Sequence, residues 1–442
     1  MRIAQKPSQS ASVLLTVLIF TVVLSALVAS SLMMMSSRRI GVERSMKWND
    51  AFPLAEAGLE EALTQLQFTT GTNFGTNGWT AVGNTFVKTR TNFVNYGYYT
   101  AVIQLPATNA VGYGPTLIAT GSVVAPLSAG QYISRVVSVQ TVLNGGYSYG
   151  LLSKSTINLN PTGGAYVDSY DSQDPLYSTN GFYTVSKRRA NAGIGSTSTS
   201  STINLSASFL YGYIIVRPSY VSNSIVLQTQ GVVGDIPYNS SAAHLGSIES
   251  GHYRNTLTTT IAEVALPYTS GIGFAAGNYI YQGTNFNYGL GTGNYITNGT
   301  FSLNSGQTMV VTGHAVLYVN GGFNVNGGSA IYIAPGASLT LYVALNCTVA
   351  GTINNSSGQA TKCVINGLTF CTDMVLTPAT PFIAIVNTPD ANVNATLSAG
   401  ADVSGAIIGY SIALGGGGSF HYDEGLAASS GNQYTVTGWK EF

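Results

Sequence analysis

Between Glu263 and Lys362 the chain runs for 98 residues, 264–361, without one Asp, Glu, Lys or Arg. A stretch so composed, rich in Gly, Asn, Thr, Ser, Tyr and Val, suits β-structure and holds few groups for acid–base chemistry. The chain as a whole is also poor in charge. Its 17 basic and 17 acidic residues make 8% of the 442 positions, against roughly 25% in an ordinary soluble domain. Zero net charge leaves no electrostatic footprint for nucleic acid. An apolar content of 45% is too high for disorder, and the 52 glycines lack the three-residue period of collagen.

Inside the uncharged stretch the glycines at 299, 306, 313, 321, 322, 327, 328 and 336 punctuate segments of six to nine residues. Three such segments make a turn of roughly 22 residues, a solenoid rhythm. Within them apolar residues alternate as in strands: Phe301 and Leu303, Phe323 and Val325, then Leu339, Leu341 and Val343. Coils with Gly at the corners and one inward face predict a right-handed parallel β-helix, which buries its interior without charges and lets Asn and Thr stack in ladders. Upstream, Tyr98 to Leu105, Thr116 to Val124 and Ile133 to Leu143 predict a small antiparallel sheet.

The N-terminus is different material. Ala11 to Met35 is 25 residues without a charge, about 37 Å of helix and long enough to cross a hydrocarbon core. Arg38, Arg39, Arg44 and Lys47 beyond it outnumber Arg2 and Lys6 before it, so local charge alone would keep the body inside the cell. The short leader and the neutral Gly/Asn/Thr-rich body point instead to export. A secretory signal cut near Ala29 to Ser31 is the competing interpretation, against which the length of the apolar run argues. Helical periodicity continues through Phe52, Ala55, Leu59, Ala62 and Leu66, with Glu56, Glu60 and Glu61 off that face. Pro53 should kink the helix or open a new one capped by Asp50.

The stretch from Gln9 through Leu66 resembles the N-terminal region of PilX-like minor pilins and pseudopilins: a short basic leader, an apolar helix opening on Val-Leu-Leu, then Ala55, Glu56, Ala57, Gly58, Leu59 and Glu60. The resemblance implies leader cleavage between Ser10 and Ala11, where family leaders usually end in Gly. It implies other pilin-like subunits as partners. Leu15 stands where most mature type IV pilins carry a glutamate, which suits an initiator or tip subunit. Tyr149-Gly150-Leu151-Leu152, Val167 to Ser172, Ile333 to Val343 and Phe420 to Glu424 resemble a β-helical domain found behind such helices in bacterial surface proteins.

Candidate chemistry is sparse. Asp168, Asp171 and Asp174 could form a calcium loop, but their three-residue spacing is unlike that of an EF-hand and favours a turn-forming Asp/Ser loop. Lys187, Arg188 and Arg189 could pair with them. His421, Tyr422, Asp423 and Glu424 have the residue types for acid–base work; at the open end of a solenoid they would instead act as a cap. His244, His252 and His314 stand alone. Cys347, Cys363 and Cys371 allow at most one intrachain bridge and match no zinc pattern. The tyrosine clusters Tyr96, Tyr98, Tyr99 and Tyr279, Tyr281, Tyr288 serve either strands or sugar contact.

The sequence therefore predicts a mainly β protein: basic leader 1–10, pilin-like membrane and amphipathic helix 11–67, small β-rich head 71–147, right-handed parallel β-helix 148–427 and C-terminal tail 428–442. The expected function is non-catalytic: a minor component or tip/adhesive subunit of a type IV pilus or related filament. It would sit in the inner membrane before assembly and at the cell surface after it. Surface polysaccharide, a host or an abiotic surface is the expected adhesive contact; no catalytic residue, cofactor, metal or nucleic acid is expected. The rival is an exported β-helix polysaccharide lyase or hydrolase on an N-terminal anchor. An intracellular bactofilin-type polymer conflicts with the membrane helix.

Overall fold

The structure is a computed structural model that describes residues 9–68, 74–93, 97–105, 114–127, 130–143, 147–162, 165–206, 208–220, 225–228, 230–429 and 434–442. The leader residues 1–8 and Tyr96 of the first tyrosine cluster lie outside the described residues. The protein is mainly β with one long N-terminal helix, Gln9–Phe68.

That helix passes through Pro53 without ending. Its two halves meet different surroundings. Residues 13–39 are exposed on every side, whereas Ala51, Leu54, Ala55, Leu59, Ala62 and Leu66 are buried. The buried side chains share a core with Tyr99, Ala101, Ile103, Leu117, Ala119, Val137 and Val139 of a six-stranded sheet. All pairings in that sheet are antiparallel, in the order Thr80–Val82, Thr85–Phe93, Gly97–Gln104, Thr116–Val124, Tyr132–Leu143 and Tyr434–Glu441. The last of these corrects the expected C-terminal tail. Residues 434–441 return to the head and pair with Tyr132–Leu143, because that strand would otherwise be a bare edge. An Arg135–Glu441 ion pair and a Phe52–Trp439 ring contact at 6.2 Å hold them there.

Helix and sheet approach closely because the contact residues are small. A Cβ on Gly121 would stand 2.1 Å from the Ala51 carbonyl oxygen and 2.5 Å from the Ala55 nitrogen; one on Gly58 would meet the Ala119 Cβ at 3.0 Å. Glu61, which faces the sheet, is only partly exposed. Lys88 Nζ lies 2.7 Å from it, Arg90 Nε 3.7 Å, and the Tyr99 hydroxyl donates to it.

In the body, parallel strands stack in columns. Gly293–Asn298, His314–Asn320, Ser338–Val343 and Cys363–Gly367 pair in turn, with Tyr295 beside Leu317, Leu317 beside Leu341 and Leu341 beside Ile365, offsets of 22 to 24 residues. A second column joins Phe301–Leu303, Phe323–Val325, Cys347–Val349 and Asp373–Leu376. A third joins Tyr288–Leu290, Thr308–Val311, Ala330–Ile333 and Thr352–Asn355. Phe301, Leu303, Phe323, Val325, Leu339 and Leu341 all point into one core, as their alternation predicts. Gly299 has φ 81°, and the next coil's Gly321 sits so near it that a Cβ there would be 2.2 Å from the Gly299 carbonyl carbon; both corners need glycine.

The order of the coils departs from the chain order. Phe382–Leu397 pairs with Val403–Gly416, whose other edge pairs with Leu151–Ser153 and Ile157–Pro161, about 250 residues earlier. Phe420–Asp423 likewise pairs with Tyr166–Tyr170. From there the stack continues through Ala192–Ser196, Phe209–Val216 and Tyr253–Arg254. Chain enters and leaves the stack in its middle, and residues 255–278 must carry it from one end to the other.

They do so as an extended strap. The Leu257 N–H donates to the Val216 carbonyl, and Ile272 bridges to Tyr295. Eight strand-to-strand gaps separate those anchors along the column, about 38 Å at about 4.8 Å per gap, and 15 extended residues reach about 50 Å. Between the anchors Leu257 packs with Tyr149, Leu152 and Ile408. Glu263 pairs with Lys154, which also lies 2.8 Å from Asp390. The Tyr268 hydroxyl donates to the Tyr295 and Val316 carbonyls at 2.6 and 2.9 Å. Phe274 then covers the end coil, 5.1 Å from Phe301 and 6.1 Å from Tyr288.

Gly121→Ala forces a methyl onto helix backbone that cannot yield, and overpacking of this kind costs about 2 to 4 kcal/mol. The head of that variant should lose protection in hydrogen exchange at residues 51–66 and 116–124 while the strands 293–367 keep theirs; equal protection in both regions would refute the tight helix–sheet contact.

Candidate functional site

The strongest collection of ionisable side chains forms where the two halves of the stack meet. In the pairing of Phe420–Asp423 with Tyr166–Tyr170, His421 stands beside Asp168 and Tyr422 beside Ser169. Alternation turns Phe420 and Tyr422 into the core and leaves His421 and Asp423 on the opposite side of the strand. Residues 171–191 fold over them. His421 Nδ1 donates to Asp168 Oδ1 at 2.6 Å, its Nε2 lies 3.5 Å from Asp402 Oδ2, and the Tyr183 ring stacks on the imidazole at 3.5 Å. The Tyr183 hydroxyl donates to Asp168 Oδ2 at 2.7 Å. Both His421 and Asp168 are almost wholly buried, at 1% and 0% exposure.

One residue on, Glu424 accepts from Ser169 Oγ at 2.7 Å and Asn191 Nδ2 at 3.0 Å, and Arg189 Nη1 lies 3.0 Å away. Asp423 Oδ1 accepts from the Ser172 and Gly425 backbone N–H groups. Burial pushes the Glu424 carboxyl up to about 7 against the pull of Arg189, and the Asp423 carboxyl up to about 6 against those backbone donors. Burial works against the His421 cation, yet the hydrogen bond to Asp168 and the nearby Asp402 carboxylate outweigh it and hold the imidazole above its ordinary value. These groups join strands that are far apart in sequence.

This corrects the expected cap. His421 to Glu424 do not close an open end but lie at the centre of the stack, because the last coil in the chain is paired on both sides. The three aspartates weighed as a calcium loop or a turn-forming Asp/Ser loop separate. Asp168 belongs to the junction, while Asp171 Oδ1 and Asp174 Oδ1 accept from the Gln173 and Leu176 N–H groups two residues on, each closing its own turn. Among the described residues no three His, Cys, Asp or Glu side chains converge as a metal would require. Lys187 donates to the Pro175 and Ser178 carbonyls, Arg188 lies over Tyr211 at 4.4 Å, and Arg189 holds Glu424, so none ion-pairs with those aspartates.

His244 stacks on Tyr238, His252 meets the Gly212 carbonyl and His314 meets Ser338. Cys347, Cys363 and Cys371 are free and buried, which pushes the thiols of Cys363 and Cys371 up to about 12. Tyr98 packs on Tyr132, Tyr99 serves Glu61, Tyr281 packs on Tyr332 and Tyr288 on Phe301. Ser10 and Ala11 fall in the first turn of the long helix. Of the helix motif, Ala55, Gly58 and Leu59 face the sheet, Ala57 is half-buried, and Glu56 and Glu60 are exposed. Sequence reasoning missed Asp402, Tyr183 and Asn191, whose roles depend on neighbours 15 to 233 positions away.

A family model for a domain of unknown function, DUF7305, matches residues 274–429, about a third of the chain. That span begins at the Phe274 cover and ends just after the junction strand. No curated protein matches. Among solved structures, the competence-associated pilin ComZ from Thermus thermophilus is similar over 90% of this chain and 97% of that one, at 12% identity and a TM-score of 0.37.

The junction carries a pH signature. From the ordinary carboxyl range up to about 7, the folded chain holds protons on Glu424 and Asp423 that the unfolded chain releases, so stability falls as pH rises through that window. His421 acts in the same sense above its ordinary value of 6.5. The body should melt roughly 3 to 6 °C higher at pH 5 than at pH 8, with Glu424→Gln flattening the difference. His421→Ala, which strands Asp168 in the core, should cost about 3 to 5 kcal/mol. A flat profile in calorimetry, or a neutral His421→Ala, would contradict this account.

Proposed function

We propose that the protein is a non-catalytic, pilin-like surface subunit of a type IV pilus or related filament, in a minor or tip position. Its body is a right-handed parallel β-helix held outside the cell. The observation that carries this is the single helix with two surroundings: 27 consecutive residues, 13–39, exposed on all sides and opening with an apolar run, continuous with a half that builds the head's core. A plain anchor needs only the first half. A helix that leaves the bilayer to pack among other helices needs both, rigidly joined. The handedness rests on the rule that crossovers between parallel strands of one sheet are right-handed.

Nothing in the geometry favours the polysaccharide-cleaving alternative. The acidic side chains nearest to a constellation are Asp168, Asp423 and Glu424; the first two are buried and the third is largely covered and held by Arg189. The body's surface, by contrast, offers hydroxyl and amide rows such as Asn324 on Ser302 and Asn326 on Asn304, at 3.0 and 3.3 Å. Rows of that kind suit contact with a neutral polysaccharide or a solid surface.

N-terminal sequencing of protein from the cell surface should begin at Ala11 with an N-methyl group. A start near Ser30 or Leu32 would mean a cleaved secretory signal and would refute the filament helix. Val23→Lys, at the centre of the apolar run, costs about 2.5 to 3.5 kcal/mol of membrane insertion and should move much of the full-length chain out of the membrane fraction.

A further inference from the structure

The second column runs further than its first four strands. Asp373–Leu376 pairs with Phe382–Leu397, which pairs with Val403–Gly416, and the column then crosses the seam to Ile157–Pro161, Ile203–Leu205 and Ile225–Leu227. Nine strands so placed span about 38 Å at about 4.8 Å per gap. One outward residue per strand stays in register along the whole face. Ser302, Asn324 and Thr348 come from the first coils, Asn394 from the fifth, and Asn158 and Asn204 from beyond the seam. Val375, Ala413 and Val226 complete the row, and none of the nine is buried. The flanking rows hold Asn304, Asn326 and Thr396 on one side and Asn392 and Ser411 on the other. Among the described residues of the three rows Asp373 alone is charged.

Other chain crosses the other two columns. The strap passes over the first, and the hairpin of Tyr279–Tyr281 and Thr284–Phe286 lies on the third, with Tyr279 2.5 Å from where a Cβ on Gly289 would stand and Phe286 6.3 Å from Tyr332. Within the row of nine, among the described residues, the one side-chain hydrogen bond runs from Asn324 Nδ2 to Ser302 Oγ at 3.0 Å. The amides of Asn394, Asn158 and Asn204 therefore keep donors and acceptors for an outside partner.

We propose that this row binds a neutral, extended polysaccharide, which lies along the stack with its hydroxyls against the Asn and Thr side chains. The proposal rests on the surface position given above, which puts the row outside the cell. Charge selects the ligand first: a face whose purpose is solubility is about 25 to 35% charged, whereas this one offers an acidic polymer no cation to pair with. Spacing selects it next. The coil repeat of about 4.8 Å is close to the length of one β-linked pyranose in an extended chain, so each coil meets one sugar ring. Single contacts of this kind are weak, and the row repeats them along one ligand chain.

Sedimenting the purified full-length chain in detergent with microcrystalline cellulose, chitin, cross-linked dextran or calcium pectate tests it. Retention on cellulose or chitin should exceed that on dextran and pectate by at least roughly five-fold and hold between about 0.05 and about 1 M NaCl, since no ion pair is involved. Asn158→Asp combined with Asn394→Asp should lower it at least roughly five-fold, as should Thr348→Arg, which brings the opposite charge on another coil. Ile280→Asp, on the exposed side of the hairpin, should leave it unchanged; an unaltered melting temperature identifies the variants that fold. Retention that is absent, confined to pectate, lost in salt, or indifferent to the folded row variants refutes the row as a binding site. Those outcomes come from purified protein and leave the filament function standing. A chain that binds cellulose through the row but is cut near Ser30 or Leu32 refutes the filament function and leaves the row.

Discussion

The pairing of Val403–Gly416 with Leu151–Ser153 and Ile157–Pro161 is the contact on which the body depends. Without it there are two short stacks, each with an open parallel edge; with it there is one stack and one core running from Leu151 to Tyr422. Parallel pairing of this kind brings entropy costs before it brings hydrogen bonds, since residues about 250 positions apart must meet. The side chains placed at the seam answer that cost. His421, Asp168, Tyr183 and Glu424 bind across it with short, directional contacts that a slipped register would lose. The strap adds a second tie: Lys154 lies beside the first half, Asp390 on the second and Glu263 on the strap, so one ammonium joins all three.

This explains where a protein so poor in charge spends the charges it has. Glu61 with Lys88 and Arg90 joins helix to sheet. Arg135 with Glu441 joins the head to the end of the chain, and Arg189 with Glu424 closes the loop over the seam. Each pair bridges elements distant in sequence. Within a coil, by contrast, backbone pairing and side-chain ladders suffice, and a charge repeated every turn would face its own kind about 4.8 Å away. Neutrality from residue 264 to 361 follows from stacking like on like.

Local features were legible in the sequence and long-range ones were not. The helix shows in its uncharged run and in the three-and-four spacing of Ala55, Leu59, Ala62 and Leu66; the strand Thr116–Val124 and the 22-residue turn show in alternation and corner glycines. Each of those signals lies within one element or between adjacent coils. The order of the coils has no such signal. Nothing near Ile407 says that its neighbour is Leu151, and nothing near Tyr434 says that it returns to Leu143. The cluster His421 to Glu424 was legible as chemistry, but the same ignorance of order set it at an end when it is at the centre. A strap leaves only an indirect trace, the irregular stretch before the first stacked parallel strand at Tyr288.

Closure by the chain's last residues constrains how the molecule can form. The head lacks its sixth strand until residues 434–441 arrive, and the first half of the body lacks one neighbour until residues 403–423 do. A chain emerging from its N-terminus therefore exposes the edge Tyr132–Leu143 and the edge of Leu151–Ser153 throughout synthesis, the two places where pairing with another chain is easiest. The second half has no such dependence. Its coils from Tyr288 to Gly416 pair in sequence order, each new strand finding its partner 19 to 27 residues back. That half can propagate coil by coil from the aromatic end cover. The stack is thus best built from its far end toward its middle, with the His421 seam and the C-terminal strand closing last. The matched span 274–429, from end cover to seam, has the bounds of the piece whose internal pairings need nothing from upstream.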